Sequence, residues 1–142
     1  MTEYTMLETW AGVYRIRKDG VITDQAKHAF THGHCHSLAL ALNKITGWPL
    51  IGLFHPVDDE DGIPSHVGVQ SPQGFLDIYG HSKIYWQKRH YHEEPLTIEE
   101  VMEWTRRARC YLEPKIDTAL PFAVEVIRRY HPQLTLNFGG TK

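Results

Sequence analysis

Cysteine is scarce in this sequence, which has only two among its 142 residues, Cys35 and Cys110. Two cysteines cannot build the disulfide framework of a small secreted domain. Long apolar runs are also lacking, and none approaches the roughly 20 residues that cross a bilayer. The first residues, MTEYTMLETW, show no basic segment followed by an apolar stretch, so we expect no secretion signal. These absences favour a cytoplasmic protein without a membrane partner.

A surplus of positive charge is missing as well. The formal net charge is −2 with histidine neutral, which argues against a dedicated nucleic-acid-binding protein, because such proteins usually carry a basic surplus. The hydrophobic share of 42% and the charged share of 23% are typical of a globular domain that buries its own core. We therefore expect one domain over residues 1–142, and the oligomeric state stays open.

Two helices are predicted in the first third of the chain. Thr23 is a good N-cap for a short helix that continues to about Phe30. From His34 to Thr46, apolar residues recur at intervals of three and four, as on one buried helical face. Gly47 and Pro49 then predict the end of this second helix.

Two further helices are predicted near the C-terminus. Thr97 and Glu100 form a capping box ahead of a helix that runs to about Cys110. A last helix is predicted from Asp117 to Tyr130, with three apolar residues facing inward: Leu120, Val124 and Ile127.

Strands are predicted on both sides of the long helix. Near the N-terminus, residues 13–16 alternate weakly, and a turn at Asp19-Gly20 predicts a returning strand at Val21-Ile22. After the long helix come three short runs with strand character, PLIGLF, SHVGVQ and GFLDIY. Helices and strands do not alternate regularly, so the predicted fold class is α+β with an antiparallel sheet.

The stretch THGHCHSLALALNKITGWPL places Cys35 in the first turn of the predicted long helix. The first N–H groups of a helix lack internal acceptors, and the helix dipole favours negative charge there. A thiolate is stabilised at such a position, so we expect the pKa of Cys35 to be lower than the usual ~8.5. Cys110, late in an amphipathic helix, lacks this feature.

His66 and Asp77 are predicted to meet across a hairpin. A turn at Ser71–Gly74 pairs Gly68 with Asp77 and His66 with Tyr79, so that all four share one face of the sheet. Asp77 is then a diagonal neighbour of His66, and Gly68 leaves room opposite the carboxylate. The alternate residues face the core: Val67, Val69, Leu76 and Ile78.

The segments HCHSLALALNKITGWPL and SHVGVQSPQGFLDIYG together resemble the catalytic core of papain-like cysteine peptidases, taken broadly to include transglutaminase-like proteins. The resemblance covers about residues 31–82. It implies a helix with cysteine at its N-terminus packed on a small antiparallel sheet. It also implies that Cys35 is a nucleophile, His66 its general base and acid, and Asp77 the residue that orients His66. The expected activity is cleavage or transfer of an amide or acyl group through a thioester, on a protein or peptide substrate, as in a peptidase, deamidase or amidase.

One feature of that family is missing from this sequence. Papain-type enzymes carry a glutamine a few residues before the cysteine, and here Ala29 and Phe30 occupy that region. The candidate groups for the oxyanion or the cleft are therefore Gln25, His34 and His36. The two histidines are expected to lie exposed at the rim of the cleft, or to stabilise the thiolate when protonated.

The same residues allow two other functions. One is a non-catalytic binding or inhibitor protein on the papain-like fold. The other is a zinc-binding domain, although Gly33 interrupts the helix that would align the ligands and no C-x-x-C or H-E-x-x-H pattern is present. We therefore expect neither metal nor cofactor. The zinc alternative would draw on His28, His32, His34, Cys35, His36 and His66.

Overall fold

A computed structural model describes residues 1–55, 62–81, 91–107 and 112–134. Within these ranges the chain is α+β, with four helices and two small antiparallel sheets. The elements in chain order are β1 Tyr4–Thr9, β2 Gly12–Arg17, α1 Asp24–Ala29, α2 Cys35–Thr46, β3 Leu50–Phe54, β4 His66–Ser71, β5 Gly74–Leu76, β6 His92–Leu96, α3 Ile98–Arg107 and α4 Ile116–Tyr130. No helix in the described part of the chain is long and apolar enough to span a bilayer.

The N-terminal sheet is a hairpin of β1 and β2, in which Leu7 lies opposite Tyr14. The predicted strand at residues 13–16 is confirmed within β2, but the predicted return through Val21-Ile22 is wrong. The Asp19 carboxylate accepts hydrogen bonds from the Arg17 side chain and from the backbone N–H of Val21, so the turn leads into α1. The partner strand lies upstream because Leu7 and Ile16 supply the buried side chains of this hairpin.

The helix α2 is the centre of the fold. Its predicted range is confirmed to within a residue at its start, and Gly47 ends it in the left-handed conformation at φ +77°. It packs on β4 of the second sheet and on α4. Side chains on most sides of α2 are buried, so one helix carries both core residues, such as Leu38 and Leu42, and the candidate nucleophile.

The C-terminal helices lie where the sequence predicts them, but the buried face of the last helix differs from the prediction. Thr97 and Glu100 form the predicted capping box, with reciprocal bonds of 2.8 and 3.1 Å. The predicted end of α3 near Cys110 lies outside the described residues. In α4, Ile127 is buried as predicted, whereas Leu120 and Val124 are only partly buried. The buried face of α4 is formed by Ala119, Phe122, Ala123, Val126 and Ile127.

The second sheet has the strand order β5-β4-β3-β6. The strand β6 is not predicted by its sequence HEEPL, which is charged, exposed and contains Pro95, as edge strands often do. It pairs with β3, so Leu50 lies opposite Leu96. One face of the sheet joins the main core through Leu50, Val67, Val69 and Leu76. The opposite face carries a second apolar cluster of Ile51, Leu53 and Phe75.

Candidate active site

The predicted contact between His66 and Asp77 is confirmed. His66 is the first residue of β4, Asp77 follows the end of β5, and Nε2 of His66 lies 2.7 Å from Oδ2 of Asp77. The hairpin has the predicted register, with Gln70 opposite Phe75. Both members of the pair are buried, at 0% and 2% exposure, rather than on an open face of the sheet.

The surroundings of Asp77 differ from the prediction in one respect. The strand ends at Leu76, and Asp77 instead exchanges backbone hydrogen bonds with Gly80 at 2.9 and 3.1 Å. Tyr79 therefore lies in a turn at 41% exposure and does not face His66. The backbone N–H of Tyr79 donates to Oδ1 of Asp77 at 2.8 Å. Each carboxylate oxygen thus accepts one hydrogen bond, and the carboxylate orientation is fixed.

The space predicted over Gly68 is filled by Phe75. A Cβ at position 68 would come within 2.5 Å of the Phe75 ring, so only glycine fits there. The same ring packs against the His66 imidazole, with 5.9 Å between ring centroids. Gly68 therefore admits an aromatic side chain beside His66, and this apolar neighbour strengthens the electrostatic interaction of His66 with Asp77.

Cys35 is the first residue of α2 and is 3% exposed. Its thiol interacts with the imidazoles of both His36 and His66. Burial alone would raise the pKa of this thiol. The hydrogen bonding and the positive charge of the two histidines outweigh burial and lower the pKa of Cys35 to about 6. The direction is the one expected from the sequence, but the causes are the two imidazoles.

The imidazole of His66 changes in the opposite direction. Burial would lower its pKa, but the hydrogen bonds with Asp77 and Cys35 raise it to about 9. Between about pH 6 and 9, Cys35 and His66 therefore form a thiolate–imidazolium pair. Because Nε2 of His66 is held by Asp77, its Nδ1 is the nitrogen that can exchange a proton with the thiol.

His36 is the second imidazole on the thiol. It is fully buried, so its predicted position at an exposed rim is wrong. Its Nε2–H donates to the backbone carbonyl of Leu112 at 2.5 Å, and this carbonyl belongs to the segment that precedes α4. No sequence pattern indicates this contact, because the two residues are 76 positions apart. A carbonyl orients the ring but, unlike Asp77, adds no full negative charge.

His34 is also buried, and its side chain is committed to structure. Its Nε2–H donates to the Glu8 carbonyl of β1 at 2.8 Å, and its Nδ1 accepts from the Ser37 hydroxyl at 2.7 Å. Ser37 in turn accepts from the backbone N–H of Lys115 at 3.0 Å. Burial and the nearby charge of His36 lower the pKa of His34 to about 4, so the ring is neutral. The predicted exposed position is therefore wrong, and the only N–H of the neutral ring is donated to β1 rather than to an oxyanion.

The third predicted oxyanion or cleft residue, Gln25, lies on the exposed surface of α1. Its side-chain oxygen accepts a hydrogen bond of 2.7 Å from the backbone N–H of Arg15 on β2. This contact joins α1 to the N-terminal hairpin. It gives Gln25 a structural role in the described part of the chain, while Cys35 is buried at the start of α2.

Of the histidines in the zinc alternative, only His36 and His66 meet at the Cys35 thiol. The helix α1 ends at Ala29, and Gly33 has φ +122°, so no continuous helix aligns His28, His32 and His36. His28 and His32 stack on each other at 5.8 Å, whereas His36 is directed to the thiol and Leu112. Across residues 1–55, 62–81, 91–107 and 112–134, no group of three His, Cys, Asp or Glu side chains is arranged to hold a metal ion.

No protein-family model matches the sequence, and neither a curated protein nor a solved structure is significantly similar to it.

Proposed function

We propose that this protein is a thiol-dependent enzyme with a papain-like core, which cleaves or transfers an amide or related acyl group through a thioester on Cys35. The observation that carries this proposal is the buried chain of contacts from Cys35 through His66 to Asp77. A thiolate, an imidazolium and an orienting carboxylate are one set of groups that performs nucleophilic acyl transfer.

The first half of the reaction forms the thioester. The Cys35 thiolate attacks the carbonyl carbon of the substrate, and His66 gives its Nδ1 proton to the leaving nitrogen as the C–N bond breaks. Asp77 keeps the imidazole in place through Nε2 and stabilises its positive charge before the transfer. The amine leaves, and the acyl group stays on the sulfur.

The second half restores the thiolate. Water or a second amine attacks the thioester, and His66 accepts the proton that this nucleophile loses. The C–S bond breaks, and the thiolate pairs again with the imidazolium. Water makes the protein a peptidase, deamidase or amidase, and an amine makes it a transferase. A protein or peptide substrate is the class we propose for both.

The negative oxygen that develops on the substrate needs hydrogen-bond donors. The N-terminus of α2 directs backbone N–H groups and the positive end of the helix dipole towards the Cys35 side of the site. We assign the first oxyanion donor to the backbone N–H of Cys35. His34 and Gln25 are not assigned as the second donor, because their side chains bind Glu8 and Arg15.

A second function, a non-catalytic binding protein on the same fold, is favoured by the burial of the site. Cys35, His66 and Asp77 are all 3% exposed or less, so a substrate reaches the sulfur only if the covering side chains move. In a binding protein, the buried pair would serve only to hold α2 against the sheet.

An acyl ester of nitrophenol separates these two functions. We expect the wild-type protein to release nitrophenolate in a burst and to carry one acyl group on Cys35, located by peptide mass mapping. Cys35→Ala should abolish the burst. The matched control is Met6→Ala, which removes an exposed sulfur-containing side chain on β1 and should retain the burst. Alkylation of Cys35 without any acyl transfer would favour the binding protein.

A further inference from the structure

The turn that carries Asp77 is held by the C-terminal end of α4. The hydrogen-bonded ladder between β4 and β5 ends at Val69–Leu76, so the sheet itself does not fix Asp77. The turn continues to Gly80, and the Tyr130 ring packs so closely on Gly80 that a Cβ there would overlap the ring. Gly80 also has φ +77°, a conformation that favours glycine.

A second contact joins His81, which follows Gly80, to His131, which follows Tyr130. His81 donates its Nδ1–H to the backbone carbonyl of Phe75 at 2.9 Å, since a carbonyl can only accept. Its Nε2 lies 2.9 Å from Nε2 of His131, so one proton is shared between the two rings. His131 caps α4 through its backbone N–H and packs on Trp48, with 4.8 Å between ring centroids.

These contacts converge on both groups that surround His66. Asp77 accepts a hydrogen bond from Nε2 of His66, and the Phe75 ring packs against the His66 imidazole. Phe75 is bound through its carbonyl to His81, and Asp77 is bound through its backbone to Gly80. Tyr130 and His131, which we call the α4 clamp, therefore hold the segment that holds His66.

We propose that the α4 clamp consists of positioning residues for the site, which keep the Asp77 carboxylate and the Phe75 ring directed at His66. The inference rests on the proposed function, because positioning matters only if the Cys35–His66 pair is used. The clamp residues act through the turn from Asp77 to His81, where Tyr130 packs on Gly80 and His131 binds His81.

The test is the pH titration of the Cys35 thiolate by its ultraviolet absorbance, with Cys35→Ala as the blank for each variant. The titration needs no substrate and no access to the sulfur. We expect His131→Ala and Tyr130→Ala to raise the thiol midpoint by about half to one pH unit, which lowers the thiolate fraction below the midpoint by roughly three- to tenfold. His131→Gln should restore most of the change, because the amide can donate to His81. The matched control is His92→Ala, an exposed histidine paired with Glu94 on β6, which should leave the midpoint unchanged.

Each result distinguishes the clamp from the proposed function. If Asp77→Asn raises the midpoint and both clamp variants behave like His92→Ala, the clamp does not position the site, and the proposed function stands. If Asp77→Asn also leaves the midpoint unchanged, Cys35 and His66 do not form a thiolate–imidazolium pair, and both proposals are contradicted. A clamp variant that loses thermal stability, with no rescue of the midpoint by His131→Gln, indicates a structural role and overturns the inference.

Discussion

Two buried histidines lie near Cys35: His34 precedes it in the sequence, and His66 interacts with its thiol. Their pKa values nevertheless shift in opposite directions. His66 donates to a carboxylate and contacts the thiol, and its pKa rises to about 9. His34 donates to a backbone carbonyl and accepts from a hydroxyl, and its pKa falls to about 4. Burial disfavours the charged imidazole in both places.

The difference shows that the partners of each ring decide whether burial prevails. Burial makes the His34 ring neutral because its partners carry no negative charge, whereas Asp77 and the thiol outweigh burial at His66. A carboxylate and a thiolate supply the negative charge that makes an imidazolium stable inside the protein. A carbonyl and a hydroxyl satisfy a neutral ring without that charge. The histidine that can transfer a proton is therefore the one bound to Asp77, and the other joins α2 to β1 and to the segment before α4.

Of the changes proposed here, removing the charge of Asp77 should have the largest effect, because it removes the difference between His66 and His34. Asp77→Asn keeps the shape of the side chain but cannot stabilise the imidazolium, so we expect acyl transfer to Cys35 to fall by roughly three to four orders of magnitude. The measurement is the rate of nitrophenolate release. Asp19→Asn, at an exposed carboxylate that pairs with Arg17, is the control and should keep the rate. Equal rates in the two variants would remove Asp77 from the mechanism.

The stability of α2 can be separated from the chemistry at its N-terminus. Leu42 is fully buried on the same helix, so Leu42→Ala should lower the free energy of unfolding by about 2–5 kcal/mol through lost burial and a cavity. Chemical denaturation measures the change, with the exposed Met102→Ala on α3 as the control. Acylation per folded molecule should be almost unchanged. A loss of activity that exceeds the loss of folded protein would mean that the core also sets the geometry of the site.

Acid should destabilise the protein through His34. Between about pH 6.5 and 4 the unfolded chain binds a proton on this residue and the folded protein does not, so stability falls as the pH falls. The two pKa values place the total contribution at up to about 3 kcal/mol. Unfolding free energies measured across this range should show the decline, and His34→Gln should flatten it. A wild-type decline that persists in full in His34→Gln would assign the effect to another group.

The Cys35–His66 pair should make almost no contribution to the pH dependence of the free energy of unfolding near neutral pH. The raised pKa of His66 gives stability that is complete below about pH 6.5 and is lost as the pH rises through about 9. The lowered pKa of Cys35 gives stability that is complete above about pH 9 and is lost as the pH falls through about 6. Folded and unfolded states thus bind the same number of protons on this pair between about pH 6.5 and 9, and the two slopes cancel.

Cys35→Ala should reveal the pH dependence of the unfolding free energy that His66 contributes and that Cys35 cancels in the wild-type protein. Without the thiol, only His66 contributes, and Asp77 alone then raises its pKa. The variant should therefore lose some stability as the pH rises above about 6.5, whereas the wild-type contribution stays flat. Unfolding free energies of the two proteins over this range are the measurement. Parallel curves would mean that the Cys35 thiol is not ionised in the folded protein.

The contacts that the sequence predicts are the local ones. The start of α2 follows from Gly33 and the apolar spacing, and the meeting of His66 with Asp77 follows from a four-residue turn that sets the register of two adjacent strands. His66 and Asp77 are only 11 positions apart in the sequence. Short separations leave few arrangements, so a pattern of residue types is enough.

The contacts that the sequence does not predict join distant segments. His36 binds Leu112, His34 binds Glu8, and Ser37 binds the backbone of Lys115, across 76, 26 and 78 positions. In each case a side chain meets a backbone group, which every residue possesses, so the partner's residue type carries no signal. For the same reason the sequence alone places both histidines at an exposed rim, although α2 lies at the centre of the fold.

The most direct test is the pH titration of both imidazoles by nuclear magnetic resonance of the folded protein. We predict that His66 stays protonated up to about pH 9 and that His34 stays neutral down to about pH 4. Substitution of each histidine assigns its signals, and Asp77→Asn should lower the His66 midpoint while leaving that of His34 unchanged. A neutral His66 at pH 7, or midpoints near 6.5 for both rings, would contradict the paired thiolate and imidazolium at this site.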